Sequence, residues 1–341
     1  MHRLFCFLLS FCFILSSYSC KNPVTPGDNT TPGRRDYTWT VDTIKIPFNY
    51  LGRITGSSPN DVYAVGPGGG LDETIWHYDG IRWSTDGVSR AISPLCIHSF
   101  SLNDVWAAGT EGRIWHFDGS NWSENLDFKK DNYVVGFQDI WGESSQNIYA
   151  VGYADSGGTR RGIILHYDGK KWQEELIPNF PHDFEEFEKD INGNHKYYLL
   201  GINVSDAGYF DALFEYDGGV NLTKIYEKIF DVNTYPGFQL IDNKMYFTLG
   251  RTINTYENSN FKWLIDIKGD KFIDRIWGRS LKDMLFIMSD GIEQYNGTDE
   301  QYIYRYSNIQ FSDAVLFDNA IFLVATDFTN NQNVMIKGVL K

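Results

Sequence analysis

The sequence predicts an all-β fold: a seven-bladed β-propeller of four-stranded antiparallel blades, its last blade closed by the N-terminal strand. Three observations predict it. A strand–turn–strand unit recurs along the chain with a mean spacing of about 43 residues, the length of one propeller blade. The first three units end in an Asp-Gly turn followed by a tryptophan, and the later units carry worn forms of that ending. The first strand lacks partners of its own, and the last unit stops short of a fourth strand.

The repeat is plainest early. SSPNDVYAVG (57–66) leads to IWHYDGIRW (75–83), SLNDVWAAG (101–109) to IWHFDGSNW (114–122), and SSQNIYAVG (144–152) to ILHYDGKKW (164–172). Later copies are worn: YYLLG with LFEYDG (197–218), MYFTLG with INTYEN (245–258), MLFIMSDG with IEQYNG (284–297), and AIFLVA with VMIKG (320–338). The turn position aligns at Gly80, Gly119, Gly169, Gly218, Asn258, Gly297 and Gly338. Counting a worn copy differently would leave six or eight blades as the alternatives.

Each strand of the unit has its own reason. An apolar stretch such as Gln138-Asp139-Ile140-Trp141 opens it and is placed as strand a near the axis. A Ser-x-Asn-Asp turn follows, in which Asx side chains bond nearby amides. Strand b is nearly all apolar, as a strand covered on both faces must be. Strand c alternates, with Ile75 and His77 on one face and Trp76 and Tyr78 on the other. Asp79-Gly80 makes the hairpin turn, and Trp83 opens strand d. Residues 37–43 match strand d, so they are expected to pair beside 333–340 and complete the seventh blade. Closure of this kind leaves no exposed edge.

The chain divides into a signal peptide (1–19), a flexible tether (20–35) and the propeller (36–341). Arg3 followed by an apolar run from Leu4 to Leu15 is a secretory pattern, too short for a good transmembrane helix. Ser19 precedes Cys20, and a polar tether rich in Pro and Gly follows. This resembles a bacterial lipoprotein signal, with Cys20 as the lipidation site, although Ser17 and Tyr18 depart from the usual box. Ordinary secretion is the alternative. The resemblance implies a lipid-anchored protein of the bacterial outer membrane or cell surface, on either its periplasmic or its external side.

The DVWAAG…IWHFDG…W unit is similar to β-propeller repeats of bacterial lipoproteins and to the sensor repeats of two-component-regulator propellers, which recur with a YDGxxW ending. The sialidase Asp-box is not matched, because Asp79 directly precedes Gly80. The resemblance covers 37–341 and implies architecture rather than activity.

Composition narrows the function. The 341 residues carry 44 Asp+Glu against 30 Lys+Arg, for a net charge of −14, which argues against a nucleic-acid partner. Four cysteines are too few for a disulfide scaffold, and Cys96, in an apolar segment, reads as a buried small hydrophobe. His77, His116 and His166 recur in strand c as structural or surface groups. Asp79, Asp118, Asp168 and Asp217 read as turn formers, and Trp83, Trp122, Trp172 and Trp263 as packing for the outer strands. The acidic run His182–Asp190 reads as a solvated loop plus strand. No motif calls for a cofactor, a metal or a catalytic nucleophile.

The expected binding face is the end bearing the b–c and d–a connections, because the b–c loops Pro67–Thr74, Tyr153–Gly162, Ile202–Ala212 and Thr326–Gln332 are long and variable. Tyr153, Asp155, Arg160, Arg161, Asp206, Tyr209 and Asp211, on blades three and four, are the candidate ligand-binding residues. The function read from the sequence is a monomeric, non-catalytic binding or interaction module for a protein or glycan. A carbohydrate-active hydrolase or lyase and an outer-membrane assembly scaffold are the alternatives. Clustered acids or arginines in one pocket would favour an enzyme, and an apolar patch a binding module.

Overall fold

The computed structural model describes residues 32–341, except 47–49, 68–69, 71, 180, 206–207 and 230–234. Cys20 and Asp206 lie outside the described residues. Among these, seven four-stranded antiparallel sheets follow one another, six of them in simple a–b–c–d order. In the seventh, Tyr37–Ile44 pairs with Gln332–Leu340, beside Ala320–Asp327 and Ile309–Phe317. The register runs from Tyr37 opposite Leu340 to Ile44 opposite Asn333, so the expected closure is present. No described helix is long and apolar enough to cross a membrane.

The core is a ring of clusters, each shared by two neighbouring blades. Tyr63 and Val65 of blade 1 pack on Ile97 and Val105 of blade 2, and Tyr198 and Leu213 of blade 4 on Phe238 and Phe247 of blade 5. The ring closes where Val62 and Ala64 of blade 1 meet Phe322 and Val324 of blade 7. Strand b therefore has two buried faces, and Asp61–Val65 is buried at every position. The glycine closing each VYAVG-type run has its own cause. A Cβ at Gly66, Gly109 or Gly152 would collide with the carbonyl oxygen of Tyr50, Ser93 or Gly136, near the start of strand a.

The repeat residues have structural work. Asp79 accepts hydrogen bonds from the amides of Ile81 and Arg82, both at 2.9 Å, and Asp118 and Asp168 repeat the arrangement. Gly80 follows at φ +91, open to glycine without strain. The strand-c histidines stack on the strand-b aromatic opposite them: Tyr63–His77, Trp106–His116 and Tyr149–His166 have ring centroids 4.2, 4.2 and 4.3 Å apart. Nε2 of each meets a strand-b side chain, Asp61, Asp104 or Asn147, at 2.7–2.8 Å. Ser57 hydrogen-bonds Asp61 rather than His77, so the order is not that of a nucleophile on its base. A His116→Ala variant loses the stacked ring and leaves Asp104 with one partner fewer. We expect it to melt roughly 2–5 °C below wild type, measured by circular dichroism.

Four expectations are corrected. Gly338 is not a turn. It lies inside the last strand opposite Trp39, whose ring occupies the space a side chain would need. Lys337, opposite Phe322, therefore holds the position of the strand-c histidines. Trp263 does not pack the outer strand, being 63% exposed; Phe261 fills that place against Phe247 and Tyr256. The b–c loops of blades 3 and 4 are mostly ladder, since Tyr153–Asp155 pairs with Arg160–Gly162 and Ile202–Ser205 with Gly208–Asp211. The fourth concerns the run His182–Asp190. His182 and Asp183 are buried, and Asp183–Lys189 is the innermost strand of blade 4.

The end of the expected tether is docked. Gly33 donates its amide to the Lys282 carbonyl at 2.8 Å, and Arg35 pairs with Asp299 at 2.7 Å, both in turns of blade 6. The chain thus enters the ring at the a–b/c–d end.

Candidate functional site

Strand a of every blade presents an inner edge to the axis, where backbone donors need partners. Side chains of the preceding blade supply them. Asp313 of blade 7 accepts from the Ile54 amide of blade 1 at 3.1 Å, Asp139 of blade 3 from Phe187 of blade 4 at 2.8 Å, and Glu188 of blade 4 from Leu240 of blade 5 at 3.1 Å. Thr55 serves Ser99 in the same way at 3.3 Å. Register shifts at Phe137/Asp139 and Phe311/Asp313 turn these aspartates toward the neighbouring blade.

These groups line an axial cavity of about 290 Å³. Its charged wall carries Arg53, Asp139, Glu185, Glu186, Arg275 and Asp313, with Glu188 beside Phe187; its apolar wall includes Trp141, Leu200, Ile202 and Phe238. Burial is the leading influence on the acids. It pushes Glu188 up to about 8, Glu185 to about 7 and Asp139 to about 6, and raises Asp313, with the Arg53 guanidinium opposing the last three. Arg275 pairs with Glu186 at 2.5 Å. Among the described residues, no group of three or more His, Cys, Asp or Glu side chains is placed to hold a metal.

The residues singled out in blades 3 and 4 sit elsewhere, on the rim of the b–c/d–a end. Arg160 stacks over Tyr153 at 4.4 Å and bonds Asp183 at 3.0 Å, with Asp155 at 3.5 Å. Strand alternation sends neighbouring Arg161 to the other face of the sheet. Tyr209 is 55% exposed, whereas Asp211 is buried and pushed up to about 6 by that burial, against the pull of Lys228. The arrangement is a self-satisfied rim cluster rather than an open receptor. Sequence reasoning missed the axial carboxylates; the available signal was an aspartate two residues after a phenylalanine at equivalent places in two innermost strands, Phe137-Gln138-Asp139 and Phe311-Ser312-Asp313.

The same end exposes apolar side chains around the cavity. Tyr50 and Phe328 stand with ring centroids 5.6 Å apart at the seam of blades 7 and 1, and Val88, Val134, Tyr209 and Ile229 are exposed on neighbouring connections. The opposite end exposes Ile81, Leu102 and Val220.

No protein-family profile matches the sequence, and no curated protein matches it. Solved structures do. One described as YCF48 bound to D1 peptide is similar over 92% of this chain and 99% of its own, at 14% identity and a TM-score of 0.62. YCF48 from Cyanidioschyzon merolae is similar over 86% of this chain and 98% of its own, at 12% identity and a TM-score of 0.57. The extracellular domain of the putative hybrid two-component system BT4673 from B. thetaiotaomicron is similar over 88% of this chain and 40% of its own, at 13% identity and a TM-score of 0.56. At these identities the likeness is one of fold: the chain is a seven-bladed β-propeller, a scaffold that binding and interaction modules also use.

Proposed function

We propose that this protein is a lipid-anchored, extracytoplasmic interaction module that offers the b–c/d–a face of its propeller to a protein partner. The carrying observation is one of direction. The chain enters the ring at the a–b/c–d end, through Gly33 and Arg35 on the turns of blade 6. An anchor at Cys20 therefore sets that end toward the membrane and leaves the opposite face, with its exposed Tyr50, Phe328, Tyr209 and Ile229, directed away. The thirteen or so residues from Cys20 to Gly33 span at most about 45 Å when extended, so the ring stays close to the bilayer.

A protein partner accords with the solved relatives, one of which is bound to D1 peptide and another of which is BBS1N in complex with ARL6DN. The axial cavity does gather acids and arginines, the pattern tied above to an enzyme, but three of its five carboxyl groups hold backbone amides and a fourth holds an arginine, which favours a structural use for most of them.

Two measurements test this reading in cells making the full chain. Wild type is expected to incorporate labelled fatty acid and Cys20→Ala to lose it. Photo-crosslinking residues placed at Tyr209 and Phe328 should capture a protein, while those at Ile81 and Val220 should not. An unlabelled wild-type chain overturns the anchor, and capture only from Ile81 and Val220 overturns the face.

A further inference from the structure

We propose that the axial cavity is a binding site for a small zwitterion of the α-amino-acid type with an apolar side chain, Arg53 receiving the carboxylate and Glu185 the ammonium group. This site goes beyond the interaction face and does not depend on it.

The inference starts from which charged groups in the wall are already engaged. Asp139, Asp313 and Glu188 hold backbone amides of neighbouring blades. Glu186 and Arg275 hold each other at 2.5 Å. Arg53 and Glu185 remain. Among the described residues the Arg53 guanidinium donates no side-chain hydrogen bond and forms no ion pair, although it carries five N–H donors. Glu185 accepts one bond, from Gln138 at 3.3 Å. The two lie within electrostatic reach, since Arg53 counters the burial that raises Glu185, yet they form no ion pair. A cavity thus separates an unengaged cation from a weakly engaged carboxyl group.

Charge selects the occupant. A simple anion at Arg53 would face Asp139, Glu185 and Asp313, and a simple cation at Glu185 would face Arg53. A zwitterion adds no net charge and supplies each group with its opposite. A carboxyl group near 7 in a cavity is also a mark of a binding site. Size and wall chemistry point the same way. About 290 Å³ lies just under the usual range for drug-sized ligands and so suits a smaller one, and Leu200, Ile202 and Phe238 form a side suited to an aliphatic or aromatic side chain.

Calorimetry on the purified chain at pH 8 tests this with L-leucine and L-phenylalanine as probes. Leucinamide lacks the carboxylate and N-acetyl-leucine the ammonium group; each is expected to bind roughly tenfold or more weakly than leucine. Glu185→Gln should weaken leucine binding by a similar factor while melting no lower than wild type, because Glu185 holds no backbone amide and its ionisation at pH 8 opposes folding. Leucine binding should also weaken as pH falls through 7, when Glu185 takes up a proton. Arg53→Gln should lose binding as well; if that variant does not fold, the blocked analogues and Glu185→Gln decide. The proposal is overturned if neither amino acid binds at millimolar concentration, if the blocked analogues bind as well as leucine, or if only a neutral disaccharide binds.

Discussion

Deleting residues 36–44 is expected to abolish cooperative folding or to lower the melting temperature by roughly 10 °C or more. The segment pairs residue by residue with the last strand, from Tyr37 opposite Leu340 to Ile44 opposite Asn333. Tyr37 and Ile44 are buried, and burial of each is worth about 1.5–3 kcal/mol. Trp39 packs on Tyr304 of blade 6 with ring centroids 4.8 Å apart. Arg279 of blade 6 donates to the Tyr37 hydroxyl at 3.1 Å and to the Phe317 carbonyl at 2.6 Å, so the strand also ties blade 6 to blade 7. Removal would expose both the edge of Gln332–Leu340 and the seam beside it. Tyr37→Ala, which keeps the backbone ladder, should show a smaller drop of a few degrees. Thermal denaturation followed by circular dichroism checks both, and an unchanged melting temperature for the deletion would refute closure as a stabilising device.

The second large effect is a stability that falls as the solution becomes more alkaline. Glu188, Glu185 and Asp139 are pushed by burial to about 8, 7 and 6, well above the roughly 4 of a solvated carboxyl group. The folded chain therefore keeps protons that the unfolded chain releases. Its stability from these groups is complete below about pH 4 and is lost as pH rises through 6 to 8. Asp61 and Asp86 act oppositely in a separate range. His77 and Ser57 hold Asp61 low against its burial, and Arg90 holds Asp86 low, so their contribution disappears as pH falls below about 4. The groups facing the axial carboxyls across the channel are Arg53, Arg275 and Glu186. The melting temperature should peak near pH 5 and be lower at pH 8.5 by on the order of 5 °C. Glu188→Gln keeps an acceptor for the Leu240 amide but cannot ionise, and should flatten the curve between about pH 5 and 8. A wild-type melting temperature constant from pH 5 to 8.5 would show that these carboxyls ionise freely.

The fold was readable because its determinants are local and repeated. The Asp-Gly turns, the apolar strand b and the half-unit at each end specify strands, register and closure within spans of about 43 residues. Where the repeat is worn, the reading failed by a residue or two. In blade 5 Phe261 replaces the expected Trp263, and at the C-terminus the ladder runs on through Gly338 because Trp39 lies over it.

The axial site was not legible. Tyr153, Asp155 and Arg160 stand out in the sequence because their connections are long, but the structure places them on the rim, away from the axis, and joins them to Asp183 in a closed cluster. The acidic run of blade 4 looked solvated because charge in a sequence ordinarily means exposure. Only the ring places Glu185 and Glu188 on an inner strand facing Arg53 and Arg275 from other blades.

The sequence by itself determined the number of blades, their strand order and the closing strand. Each is written in contiguous residues. The tertiary structure decided which charges share the axis and which of them are engaged. Those depend on side chains from separate blades meeting in one desolvated space, where burial rather than residue identity sets how strongly a carboxyl group holds its proton.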